Sequence, residues 1–332
     1  MTKHFPSRIA GVNPTRRGLL AALSASCLPA FAAWPDRPVK VVVPWPTGGV
    51  VDIPARLVFG KVQQALGQSF VIDNKLGAGG AIGADAVAKA APDGQTLCVT
   101  TSAICINKAL SIRQPFDPIA DFEPVALLAS APMILVVTPA KGIRSVGDLV
   151  RRAREQPGKL NFASAGNGSP AHLSGEWFKA QFGVNAVHVP YKGAPAAMID
   201  QVAGLIDFQF ANAAVALPQI QAGKVLPLAV ASPRPLRFLP DVPTMAKSGA
   251  PGFDTDQWIG LLAPAGTPRD VVTRLAAESA AALKIDEVRA GMEKNGIVAA
   301  DAGGTPESFG KIVAGDLARW VKIVQTANIK VE

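Results

Sequence analysis

From Val39 onward, short β-branched runs alternate with stretches whose apolar residues recur at helical spacing. That alternation restricts the chain to few architectures. Val39-Lys40-Val41-Val42-Val43-Pro44 reads as a buried strand that ends at a proline. A glycine-rich loop follows, then a helix over about 53–66, in which Ile53, Leu57, Val58, Val62 and Leu66 share one face. Further strands are expected at 70–73, 96–101, 133–138, 160–164, 187–189, 206–210, 226–231 and 259–263, and helices near 82–90 and 196–203. Ser145 with Asp148 has capping-box spacing, and Ser169-Pro170, Thr267-Pro268 and Thr305-Pro306 pair a cap with a proline at a helix start. Strand then helix, repeated, is the pattern of parallel sheets with helices on both faces. With 332 residues, 49% of them hydrophobic, the chain can fill two cores.

The N-terminal segment carries an address. Thr15-Arg16-Arg17-Gly18-Leu19-Leu20 opens an apolar run to Leu28, and Ala30-Phe31-Ala32 offers a small-residue cleavage site before Ala33 or Trp34. The run is too short to anchor in a bilayer. The paired arginines resemble a twin-arginine export signal; an ordinary secretory signal is the alternative. Ser24 stands where a lipoprotein signal before Cys27 has leucine, which argues against a lipid anchor. Residues 1–33 are therefore read as a removable leader, and the mature chain as periplasmic. Removing the leader takes Lys3, Arg8, Arg16 and Arg17 with it and leaves 29 basic against 25 acidic residues, a net +4. No Lys/Arg cluster lies beside aromatics, so a nucleic-acid surface is not expected. The mature chain keeps Cys98 and Cys105, and the sequence leaves open whether they are joined.

Signals for catalysis are sparse. The mature chain has two histidines, His172 and His188, and no H-E-x-x-H, G-x-S-x-G or Walker motif. No catalytic residue, metal ligand or cofactor is assigned, and the chain is not read as an enzyme. The informative features are two glycine-rich loops, each running from a strand into a helix: Pro44–Asp52 and Ser164–Pro170. The first helical N–H groups lack intrahelical acceptors and carry partial positive charge, and glycine lets a ligand approach them. Such a site suits a carboxylate, whereas the plain alternative is a pair of capped turns. Gly77, Gly79, Gly80 and Gly83 resemble a dinucleotide fingerprint, but Ile82 occupies the third glycine's place, so a turn is the better reading. Asp52 fits a helix cap, and Trp45 is placed either to cover a ligand or to join the core.

Taken in order along the chain, these segments resemble the solute receptors of the tripartite tricarboxylate transporter family, the Bug-type periplasmic binding proteins. The resemblance rests on Trp34-Pro35-Asp36-Arg37-Pro38, the first glycine loop, Arg56, Leu66-Gly67-Gln68, Asn74 through Ala90, Pro92-Asp93-Gly94, Pro115-Phe116-Asp117-Pro118 and Asp121-Phe122 with Pro124-Val125. It continues through Pro157–Ser164, Gly166–Ser169, His172–Glu176, His188–Gly193, Leu239–Thr244 and Gly260–Pro268.

The resemblance implies an α/β, two-lobed clamshell with two crossover segments, each lobe a mostly parallel sheet flanked by helices. Lobe 1 is expected at 34–137 plus 234–332, and lobe 2 at 138–233. It implies a monomeric receptor that captures a small organic carboxylate between the lobes and hands it to an integral-membrane permease. Carried over by motif, the ligand-binding candidates are Trp45, Thr47, Gly48, Gly49 and Asp52 from the first loop, and Ser164, Gly166, Asn167 and Gly168 from the second, with Thr101, Ser102 and Asn212 beside them. Thr47 stands where the family often has alanine, adding a hydroxyl within reach of the ligand. Val51 replaces a common threonine or asparagine, and Pro54 removes one N–H from the first helical turn. Two further readings follow the same residues: a ligand sensor serving a regulatory partner, and a nucleotide-dependent enzyme using Gly77–Gly83.

Overall fold

A computed structural model describes residues 1, 2, 4, 34–302 and 304–329. The leader's paired arginines, apolar run and cleavage motif lie outside the described residues. Eleven strands fall into two sheets: β1 (Val39–Val43), β2 (Phe70–Asn74), β3 (Thr96–Thr101), β4 (Phe122–Ala131), β5 (Met133–Val137), β6 (Asn161–Ser164), β7 (Val187–Pro190), β8 (Phe208–Asn212), β9 (Leu226–Val230), β10 (Gln257–Pro264) and β11 (Val298–Ala299). The first sheet runs β11-β4-β10-β3-β1-β2 and the second β7-β6-β8-β5-β9. Among the described residues ten α-helices flank them: α1 (Asp52–Leu66), α2 (Ala81–Ala88), α3 (Ala103–Ala109), α4 (Val146–Glu155), α5 (Pro170–Phe182), α6 (Ala194–Val202), α7 (Ala213–Gln221), α8 (Arg269–Leu283), α9 (Asp286–Glu293) and α10 (Pro306–Thr326).

Each sheet is covered on both faces, which is why β1 buries every residue but Lys40. Val39, Val41 and Val43 pack with Ala55, Val58, Phe59 and Leu275 on one face, while Val42 joins Ile104, Phe309 and Trp320 on the other. In the second sheet Leu135, Phe162 and Phe208 pack with Leu149 and Phe178, and Ile134 and Val136 pack with Ala216. Cys98 and Cys105 are free, buried thiols of the first sheet's second face.

The sheets are mixed. Mostly parallel sheets were expected; only β1 with β2 and β3, and β6 with β7 and β8, run parallel. β10 is antiparallel to β3 and β4, and β5 is antiparallel to β8 and β9. The reason is the crossover. β4 ends at Ala131, and after Pro132 alone the chain enters the second sheet at Met133, opposite Asn212. A strand that enters a sheet from the edge where its parallel strands end must run against them. The return behaves the same way: Ala231 N–H donates to Met133 O, Thr255 N–H donates to Ala231 O, and Gln257 opposes Ala131. The chain thus changes sheet at Pro132 rather than at the expected 137–138, because Met133–Val137 pairs in the second sheet.

This topology places the site. Ile259 opposes both Thr101 and Ala129, so β3 and β4 end at one edge of the first sheet, beside β1. In the second sheet, β6 and β8 end at the edge where Met133 enters. The strand ends of both sheets therefore meet across the crossovers.

Candidate functional site

The first glycine loop closes on Asp52. Its N-cap is Val51, which has no side-chain capping bond, and Asp52 is the first residue of α1, so the expected cap role is corrected. The Asp52 carboxylate accepts Gly48 N–H at 2.8 Å, Arg56 Nε at 2.7 Å and Asn74 Nδ2 at 2.9 Å. Burial opposes its ionisation, but these donors outweigh burial and hold the carboxyl below the usual range. Asn74 Nδ2 also donates to Trp45 O, and Asn74 Oδ1 accepts Thr47 Oγ1 at 3.0 Å and Arg56 at 2.9 Å. The Thr47 hydroxyl thus donates into the loop brace. Gly49 N–H donates to Pro46 O. What stays open at this helix start are the N–H groups of Val50, Val51 and Asp52, which meet no acceptor among the described residues.

The glycines at 77–83 serve the same loop as packing. A Cβ on Gly83 would lie 2.6 Å from Pro44 and 2.7 Å from Lys75 O, and one on Gly80 would lie 3.2 Å from the Trp45 ring. They let α2 approach the loop from beneath, which fits a turn and not a pyrophosphate cradle. Trp45 is half-buried, and its Nε1 is sealed without a partner among the described residues.

Thr101 and Ser102 stand beside this loop at the end of β3. Thr101 Oγ1 accepts Ala103 N–H, and Ser102 N–H donates to Trp258 O. The Ser102 hydroxyl is fully buried and has no partner among the described residues. Asn212 ends β8 and caps α7 through Ala214 N–H at 3.0 Å.

The second loop carries an arrangement that sequence reading missed. Ser164, fully buried, accepts Gly166 N–H at 3.1 Å and lies 2.6 Å from His188 Nε2. Gly168 N–H donates to His172 Nδ1 at 3.1 Å, and Ser169 caps α5 by accepting His172 N–H. The two imidazoles stack at 4.0 Å and 14°. His172 and His188 look unrelated along the chain; the parallel pairing of β6 with β7 brings them together. Burial, then the neighbouring His172 and Lys179, drive His188 down to about 4, and burial lowers His172 as well. Both rings are neutral near pH 7. A serine beside a histidine is also the start of a nucleophile–base pair, but this hydroxyl is sealed from solvent and neither ring has a hydrogen-bonded carboxylate to orient it. The loop's Gly166, Gly168 and Ser169 N–H groups are internally bonded, whereas those of Ala165 and Asn167 meet no acceptor among the described residues.

No group of three metal-ligating side chains occurs among the described residues. The chemistry on offer is hydrogen-bond donation from uncharged amides at two helix starts, one per sheet, at the edges that meet across the crossovers.

The chain is similar to known proteins in sequence and in fold. Residues 54–329 match the family model described as tripartite tricarboxylate transporter family receptor. BugT of Bordetella pertussis is 32% identical over 326 residues, covering 98% of each chain. The structure of Rpa4515 from R. palustris with adipate superimposes with a TM-score of 0.78 at 37% identity, covering 90% of this chain and 99% of that one. MatC from Rhodopseudomonas palustris with bound malate gives 0.74 at 33% identity, covering 88% and 100%. Shared family model, near full-length similarity and a common two-sheet architecture lead to one conclusion: the chain belongs to the tripartite tricarboxylate transporter family of solute-binding receptors, with Bug-type proteins among its relatives.

Proposed function

We propose that this receptor binds a small organic carboxylate between its two sheets, in the periplasm after removal of a twin-arginine leader, and passes it as a monomer to an integral-membrane permease. The observation that carries this reading is the set of open N–H groups at the starts of α1 and α5: Val50, Val51 and Asp52 on one side, Ala165 and Asn167 on the other. Unpaired amides at a helix start favour an anion, and two such starts allow one ligand to bridge both lobes. Bridging gives the ligand higher affinity for the closed form, which is what closure requires. The remaining candidates act around these amides: Trp45 as a cover, Thr101 and Ser102 as the floor, Asn212 as a further donor, and Thr47, Gly48, Gly49, Asp52, Ser164, Gly166 and Gly168 as the frame. Exposed Lys75 and Lys192 follow the outermost parallel strands β2 and β7 and are in no ion pair among the described residues, adding positive potential at the mouth. The carboxylates named in the relatives' structures, adipate and malate, define the first panel to test. Ligand at about a hundred times its dissociation constant adds about 2.7 kcal/mol to stability. A melting-temperature rise with at least one member of a broad mono- and dicarboxylate panel is expected; a flat response to the whole panel defeats the reading.

A further inference from the structure

We infer that His172 and His188 act as one neutral mount that sets the second glycine loop, and that they are positioning residues for ligand capture without touching the ligand. This rests on the cleft being the anion site. The geometry is a column. His188 is paired in register with Phe162, and its ring lies between Phe162 at 4.9 Å and His172 at 4.0 Å. From that column two nitrogens face the loop. His188 Nε2 holds the Ser164 hydroxyl, which accepts Gly166 N–H; His172 Nδ1 takes Gly168 N–H directly.

Along this loop the amides of Gly166 and Gly168 are bonded, while the intervening ones of Ala165 and Asn167 meet no acceptor among the described residues. Holding those of Gly166 and Gly168 against the histidine column leaves those of Ala165 and Asn167 for the cleft. Gly166 and Gly168 have φ of 126° and 73°, left-handed conformations that need an outside restraint because glycine has many alternatives. The rings supply it: His172 Nδ1 does so as a neutral acceptor, since an imidazolium has no acceptor nitrogen, and His188 Nε2 by its 2.6 Å hydrogen bond with the Ser164 hydroxyl, which also donates to Gly166 O at 3.0 Å. The surroundings keep them neutral. On α5, Glu176 lies 3.9 Å from His172 Nε2 but is itself bound to Lys179 at 2.7 Å. Lys179 lies over the Phe162 ring at 5.7 Å, β6 presents Phe162, and β7 presents His188 itself. The column therefore faces one carboxylate, already paired, and one ammonium.

The test uses two readouts on the whole protein. In ligand-free protein, amide hydrogen exchange should show Gly166 and Gly168 protected and Ala165 and Asn167 fast. His172→Leu should release Gly168, and His172→Gln should restore it, because the Gln side-chain oxygen is still an acceptor. In binding measurements with adipate and malate, His172→Leu and His188→Leu should weaken affinity about fivefold or more, through faster dissociation, and His172→Gln should recover most of it. If wild-type protein binds neither probe, the proposed ligand class is wrong for those two acids while exchange still decides on the mount. Unchanged Gly168 protection in His172→Leu overturns the mount. So does wild-type affinity in both leucine variants, even where exchange has changed.

Discussion

Asp52 is 1% exposed, yet its pairing partner Arg56 is about half in water. Asp52→Ala leaves Gly48 N–H without its acceptor and removes one of the two acceptors of Asn74 Nδ2, which keeps Trp45 O, while Arg56 rehydrates. The expected cost is about 2–3 kcal/mol in urea denaturation, together with loss of ligand binding because the loop is no longer braced. Its pH signature follows from its lowered folded-state pKa: the stability is present above the ordinary carboxylate range and is lost as pH falls through the folded value. Asp256 behaves in the opposite sense. It sits on the return crossover, where burial and the adjacent Asp254 push its carboxyl up to about 7. Its unfolded counterpart ionises near 3.8, so stability is highest below that and declines as pH rises through about 7. Asp256→Asn should therefore raise the melting temperature at about pH 8 and leave it nearly unchanged at about pH 4. A scan of melting temperature against pH checks both variants, and equal shifts at the two pH values would refute the Asp256 argument.

At the level of elements, β10 and α10 are joined at a glycine. A Cβ on Gly260 would lie 2.0 Å from Phe309 Cζ, and Phe309 is held edge-on to Trp258 at 5.4 Å. Gly260→Ala is expected to cost about 3 kcal/mol by overpacking, and Phe309→Ala about 3–5 kcal/mol by cavity formation. The double variant should cost clearly less than the sum, since each change relieves the other; additive costs in a denaturation cycle would disprove the contact. This is also the scale at which the sequence was partly legible. β1, β3 and the two glycine loops announce themselves through β-branched runs and glycine placement. The cap readings at Ser169 and Thr305 match the structure, whereas Pro268, not Thr267, is the N-cap of α8. β4 was missed: Phe122–Ala131 is apolar without clean alternation and carries Pro124, so neither period stands out. α3 was missed because Ala103-Ile104-Cys105-Ile106 is buried throughout and reads as a continuation of β3. The braces were illegible for a different reason. Asn74 reaches Asp52 across 22 positions, and His188 reaches His172 only once β6 and β7 pair.

For the whole molecule the decisive feature is the pivot between the sheets, and Gly296 lies against it. Gly296 precedes β11 with φ of 67°, and a Cβ there would lie 2.7 Å from the carbonyl carbon of Ala213, the first residue of α7. Ala213 N–H in turn donates to Pro132 O in the first crossover. The contact joins the two halves backbone to backbone, so added bulk cannot be absorbed by a side-chain rotation. In the first sheet, β11 is the edge strand beside β4, while β3 and β1, which lead into the cleft loops, lie on the far side of β10. A wedge at Gly296 thus bears on the pivot itself, and the expected outcome is a bias of the ligand-free protein toward the closed arrangement. Gly296→Ala is expected to make the ligand-free protein more compact in small-angle scattering, closer to its ligand-saturated dimensions. Dissociation of a bound carboxylate should slow by about threefold or more, because part of the closure is already made before binding. A ligand-free scattering curve that expands, or is identical to wild type with unchanged dissociation, would show that the pivot lies elsewhere.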